Sequence, residues 1–123
     1  MAETILLWVY GTLKKGGRLH GAMRGASFLA CCRSFPGYQL LKLGWYPGLV
    51  RVPCPGPGDT VAGELYEVPV EMLDRLDEVE GAPALFRREP VELMEQARQP
   101  QAYFYQGIAL GCFTVAGGEW PVG

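Results

Sequence analysis

The chain has 123 residues, 49% hydrophobic and 20% charged, which fits a single globular domain over 1–123 that buries its own core and lies far from the disordered class. Its formal charge is −2, and no basic run exceeds Lys14-Lys15 or Arg87-Arg88, both read as solvated pairs, so no nucleic-acid footprint is present. The opening apolar run is too short for a membrane span or a secretion signal and lacks a basic leader, so a soluble, cytoplasmic protein without a membrane partner is expected.

The first element in chain order is a strand, Thr4–Tyr10, which drops directly into Gly11-Thr12-Leu13-Lys14-Lys15-Gly16-Gly17. Gly11 and Gly16 have the spacing that opens a Walker loop, but Gly17-Arg18 stand where such a loop needs Lys and then Ser or Thr. The dinucleotide-binding glycine pattern is absent as well. Nucleotide binding is therefore not expected. What remains is a strand end whose N–H groups point outward: a nest for a carboxylate or oxyanion, or a plain turn.

Further strands are expected at Ser27–Arg33, Tyr38–Leu43, Leu49–Val52 and Val61–Val68, with the rigid stretch Pro53–Asp59 as a surface loop between the last two. The helix signal is Pro69–Gly81: Val70, Leu73, Leu76 or Asp77, and Val79 recur near the helical period and leave Glu71, Asp74, Arg75 and Glu78 outward. Pro69 suits the first helical position, and Gly81 suits the left-handed residue after the last turn. Strands at Arg88–Glu95 and Gln101–Tyr105 follow. With 17 glycines and 10 prolines, short elements and tight turns are expected. One main helix among about six strands reads as an α+β domain, its sheet curled into a small barrel that could hold a small ligand at its mouth.

Cys31, Cys32, Cys54, Cys112 and the lone His20 form no chelating motif, and adjacent Cys31 and Cys32 on a strand point to opposite faces. No metal and no cofactor is expected, and the thiols read as reduced and buried. His20 reads as a capping or surface residue. Tyr103 and Tyr105 share one face of their strand and line either a cavity or a core. Glu64 reads as a solvent-facing strand charge. Glu80 is the unusual carboxylate, because it sits in the last turn of the helix, where the macrodipole is negative and an acid costs about 0.3–1 kcal/mol. Desolvation, the dipole and the neighbouring Asp77 and Glu78 would all raise its pKa, as a general base requires; periodicity alone favours the other reading, an exposed charge screened by water.

Taken in order, "VYGTLKKG" (Val9 to Gly16) followed by His20, "WYPGLV" (Trp45 to Val50), "VAGELYEV", and "MLDRLDEVEGAPALFRREPVEL" (Met72 to Leu93) resemble the gamma-glutamylcyclotransferase-like superfamily. The pairing of Tyr-Gly-Thr-Leu-Lys with "LDEVEGAPALFRR" is most similar to gamma-glutamylamine cyclotransferases and their bacterial relatives. The resemblance implies a small mixed β-barrel with flanking helical turns and release of a γ-glutamyl group as 5-oxoproline. It implies Glu80 as the catalytic carboxylate and Tyr10, Gly11, Thr12 and Leu13 as the substrate loop, with a pocket tyrosine at Tyr103 or Tyr105. The partner is then a small-molecule γ-glutamyl compound, and the protein a monomer or homodimer. Phe86 departs from the family pattern, which commonly has Tyr there. A non-catalytic module holding a small carboxylate metabolite in the same fold is the alternative.

Overall fold

The computed structural model describes residues 3–82, 84–94, 99–108 and 111–121. The strands are β1 (Thr4–Val9), β2 (Ser27–Arg33), β3 (Tyr38–Lys42), β4 (Pro47–Arg51), β5 (Ala62–Pro69), β6 (Phe86–Pro90), β7 (Gln101–Tyr105) and β8 (Phe113–Thr114), with one α-helix, α1 (Leu73–Glu80). Short 3₁₀ turns lie at His20–Met23, Val70–Met72 and Ala116–Gly118. The strand order is β2-β5-β1-β7-β4-β3-β8, with β6 also paired to β7.

β1 is central because its run of apolar residues suits burial on both faces. Alternation sends Leu6 and Trp8 into one core, with Leu40, Leu49, Leu65 and Phe104. Leu7 and Val9 point into the other, with Val68, Leu76, Phe86 and Tyr103. The helix packs on this second side. β1 pairs antiparallel with β5 along its whole length, and parallel with β7 only at Leu7↔Gln101. At Leu49↔Phe104 the parallel neighbour of β7 is β4. Tyr10 closes that junction: its hydroxyl donates to the Tyr103 carbonyl at 2.7 Å and accepts from the Leu49 amide at 3.1 Å.

Several expectations are corrected. Eight strands form rather than about six, and the sheet is mixed but not closed into a barrel among the described residues. Little would drive closure, since the end strands β2 and β8 are largely exposed to solvent. β8, with two exposed residues, is too short to leave a periodic signal. The strand expected at Arg88–Glu95 runs instead from Phe86 to Pro90. Val91 and Leu93 are apolar because they are buried, Leu93 bridging to Ser34 away from β7; Glu95 lies outside the described residues.

The helix begins at Leu73 after a 3₁₀ turn, and Pro69 is the last residue of β5. Its buried stripe is Met72, Leu73 and Leu76, whereas Val70 and Val79 are 39% and 40% exposed. The four thiols are free but not buried: Cys31 and Cys54 are exposed, Cys32 and Cys112 partly so. Neither basic pair is a solvated pair. Lys14 is buried with its ammonium on the Trp120 carbonyl at 2.7 Å, and Arg88 is ion-paired to Asp77. No helix among the described residues is long and apolar enough to cross a membrane.

Candidate active site

Where β1 stops pairing, Gly11, Thr12 and Leu13 turn across the end of the sheet. A Cβ at Gly11 would lie 2.5 Å from Pro47 Cγ, so only glycine lets the loop pass against the rigid ring at the start of β4. The loop folds back on itself through Lys14 N–H to Gly11 O, Gly17 N–H to Lys14 O and Leu19 N–H to Thr12 O, all at 3.0 Å or less. His20 Nδ1 lies 2.8 Å from the Leu13 carbonyl, which accepts its proton. Glu64 accepts from the Lys15 amide and from the Tyr66 hydroxyl, both at 2.9 Å. His20 and Glu64 thus hold the loop from behind, and Glu64 is not the solvent-facing charge its strand position suggests. The amides of Gly11, Thr12 and Leu13 donate to no acceptor among the described residues, although all three residues are buried. Buried amides are rarely left unpaired, and all three residues line one cavity.

Glu80 approaches the same cavity from the helix. Gly81, left-handed at φ 70°, donates back to the Asp77 and Glu78 carbonyls and ends α1. The chain then reverses, and Leu85 and Phe86 return alongside. Burial pushes the Glu80 carboxyl up from its ordinary 4.5 to about 7. It makes no hydrogen bond or ion pair among the described residues, and no unpartnered polar side-chain atom is fully buried. Its oxygens therefore stay open to the cavity. Asp77 is ionised but paired, and burial rather than this neighbour raises Glu80, contrary to the expectation from sequence. It receives Arg88 Nε at 2.7 Å, Arg88 Nη2 at 3.0 Å and the Tyr103 hydroxyl at 2.7 Å. Burial raises the Asp77 carboxyl, but the bonds from Arg88 and Tyr103 outweigh it and leave the group below its ordinary value.

The cavity is about 120 Å³. Cavities of roughly 150 Å³ hold a benzene, so this one admits a fragment of that order. Glu80, Tyr10, Gly11, Thr12, Leu13 and Tyr103 all line it. Tyr105 does not; on the same strand face but one step on, it packs against Phe86 at 5.8 Å between ring centres. The hydroxyls of Tyr10 and Tyr103 are already engaged with Leu49, the Tyr103 carbonyl and Asp77, and burial raises both pKa values, so what these tyrosines offer the cavity is ring and backbone. Sequence reasoning missed Trp45 and Leu85 as cavity residues and Arg88 as the partner of Asp77. The strand period puts Phe86 and Arg88 on one face of β6, which was the available signal.

The sequence matches the model of the family described as "Gamma-glutamyl cyclotransferase, AIG2-like" over residues 7–122. A human gamma-glutamylaminecyclotransferase is 36% identical over 129 residues, covering 94% of this chain and 80% of the relative. A putative gamma-glutamylcyclotransferase of Vibrio cholerae is 37% identical, covering 71% of each chain. Among solved structures, a mouse AIG2-like protein superposes with a TM-score of 0.77 at 26% identity, over 92% of this chain and 86% of the other.

Proposed function

Because the chain belongs to the gamma-glutamyl cyclotransferase, AIG2-like family, we propose that it releases 5-oxoproline from a γ-glutamyl-amine or γ-glutamyl-amino-acid substrate, with Glu80 as the general acid/base. The observation that carries this reading is an unpartnered, desolvated carboxylate of pKa about 7 in one small cavity with three free loop amides. The names of the human and Vibrio relatives point to the same chemistry.

The reaction needs little machinery, since the nucleophile belongs to the substrate. Glu80 takes a proton from the α-ammonium, whose reference pKa is roughly 8. The freed α-amine attacks the γ-carbonyl carbon, closing a five-membered ring and placing charge on the carbonyl oxygen. The amides of Gly11, Thr12 and Leu13 hold the anionic glutamyl end and the developing oxyanion. The tetrahedral intermediate then breaks its bond to the leaving nitrogen, which takes the proton from Glu80, while the cationic ring nitrogen gives its extra proton to the carboxylate, which passes it on to the released amine or to water. One new C–N bond replaces one broken C–N bond, and the carboxylate is restored. Tyr10 and Tyr103 form the wall behind the glutamyl group. The four free thiols suit a reducing compartment, and we place the enzyme in the cytoplasm.

The test is 5-oxoproline release from γ-glutamyl amines, γ-glutamyl-ε-lysine, γ-glutamyl dipeptides and glutathione, with Glu80→Gln as the paired control. Release that disappears in the variant supports the reading. A folded protein that releases none from the whole panel, or a Gln variant at the wild-type rate, overturns it.

A further inference from the structure

The inner part of the cavity holds the acid/base and the amides, but its mouth is of different composition. Trp45, Val79 and Leu85 come from three separate segments, line the same cavity, and are 50%, 40% and 40% exposed. Large apolar side chains left in solvent around a single opening are unusual for scattered surface residues, and they mark the surface a ligand covers. Glu80 is the only charged residue among the described residues of the lining. A positive charge stands at the rim: the Arg18 guanidinium lies over the Trp45 ring, 4.6 Å from its centre. The other helix acids do not offset it. Asp77 is paired with Arg88, while Asp74 and Glu78 are exposed and outside the lining.

Resting on the cyclotransferase reading above, the geometry fixes which part of the substrate meets this mouth. With the glutamyl group against the amides and the scissile carbonyl beside Glu80, the leaving amine extends outward between Trp45, Val79 and Leu85. We infer that the preferred leaving group is an amine with an uncharged apolar or aromatic body, and that Trp45 and Leu85 set this preference, with Arg18 disfavouring a cationic tail. An ammonium placed there would lose water, meet a guanidinium and find no carboxylate in the lining other than Glu80, which the reacting centre occupies. An alkyl or aryl body would cover the three exposed side chains and complete their burial. A difference of one group against an apolar wall is worth roughly ten- to hundredfold in kcat/KM.

A matched pair of substrates isolates the effect. The n-pentylamide and the 4-aminobutylamide of γ-glutamate have the same length and differ in a terminal methyl against a terminal ammonium. Wild-type protein is expected to release 5-oxoproline from the pentylamide with kcat/KM roughly ten- to hundredfold higher. Trp45→Asp, which puts a carboxylate at an exposed rim position, is expected to shrink or reverse that ratio. Equal or better turnover of the ammonium-ended amide by wild type overturns the inference, and so does an unchanged ratio in Trp45→Asp. Binding of the same two amides to Glu80→Gln, measured by calorimetry, keeps the inference separate from the reading beneath it. If no γ-glutamyl compound is turned over yet the pentylamide binds at least tenfold tighter, cyclisation falls and the assignment of the mouth stands. Equal affinities reject the mouth assignment whether or not turnover occurs.

Discussion

Asp77 and Glu80 stand three residues apart in the last turn of one short helix and meet different surroundings. Asp77 is met by the Arg88 guanidinium and the Tyr103 hydroxyl, which hold its carboxyl below the ordinary range against the opposing push of burial. Glu80 has no such partner and shares its cavity with Phe86, Leu85 and Val79, and burial lifts it to about 7. The difference originates in β6, where Phe86 and Arg88 lie two positions apart and so project from one face. One strand face brings an apolar ring to one carboxylate and a cation to the other. Two titratable groups driven apart in this way are the usual sign of an assigned acid/base. Here the helix supplies both carboxylates, and the strand decides which one titrates near neutrality.

The largest effect should come from removing the unpartnered member. Glu80→Gln keeps the shape of the side chain and is expected to lower kcat by about 10²- to 10⁴-fold, with the Asp77–Arg88 pair and the fold intact by circular dichroism. Steady-state 5-oxoproline assays at saturating substrate test it, and loss of turnover accompanied by unfolding would void the comparison.

The next effect is on stability and opposes the first. A carboxyl that titrates at 4.5 when unfolded and at about 7 when folded binds protons more tightly in the native state. Its contribution to stability is fully present below about pH 4.5 and is lost as pH rises through about 7. The loss amounts to up to about 3 kcal/mol, at 1.36 kcal/mol for each pKa unit. Glu80→Gln removes that loss. Urea unfolding should find the variant more stable than wild type at pH 8.5, with the gap narrowing at pH 5. A gap independent of pH would mean that Glu80 is not desolvated in the native state.

Legibility in the sequence follows how local each cause is. The order strand, glycine turn, strands, helix, strands was readable because each rests on neighbouring residues. The left-handed Gly81 that ends the helix is the clearest case, with φ 70°. Glu80 could be singled out because position in a helix is also local. Its partnerless state could not, because that depends on Arg88 choosing Asp77. Lys14 seemed solvated because its acceptor, the Trp120 carbonyl, is 106 positions away. Tyr103 and Tyr105 were indistinguishable by period, since strand alternation places both on one face; only the position of Phe86 and the extent of the cavity separate them. Val79 misled for an instructive reason. It fits the apolar period of the helix, yet it lies at the cavity mouth and not in the core. Closure of the sheet was the least readable feature, because it depends on whether two distant edges meet.

The smallest effect is also the most direct test of the comparison. If kcat/KM requires ionised Glu80, it should fall about tenfold per pH unit below about 7. Asp77→Asn keeps an acceptor for the Tyr103 hydroxyl and nearly the same volume, but it removes a negative charge and leaves Arg88 without its anion. The pair thus goes from neutral to a net +1, which favours the ionised form of Glu80, so the acid limb of the profile should move to lower pH. The pair is about a quarter exposed on each side, so solvent screens much of the change and a shift of about half a unit is expected. Stability should drop by about 1 kcal/mol, the scale of a part-exposed ion pair. Replacing Arg88 by Met in the same variant discards the stranded cation and should return the limb most of the way toward the wild-type position. Had Asp77 served only to fasten α1 to β6, both variants would lose stability while the limb stayed fixed. Movement of the limb in Asp77→Asn, and its return in the double variant, would instead show that the paired carboxylate and its arginine balance charge beside the one that reacts.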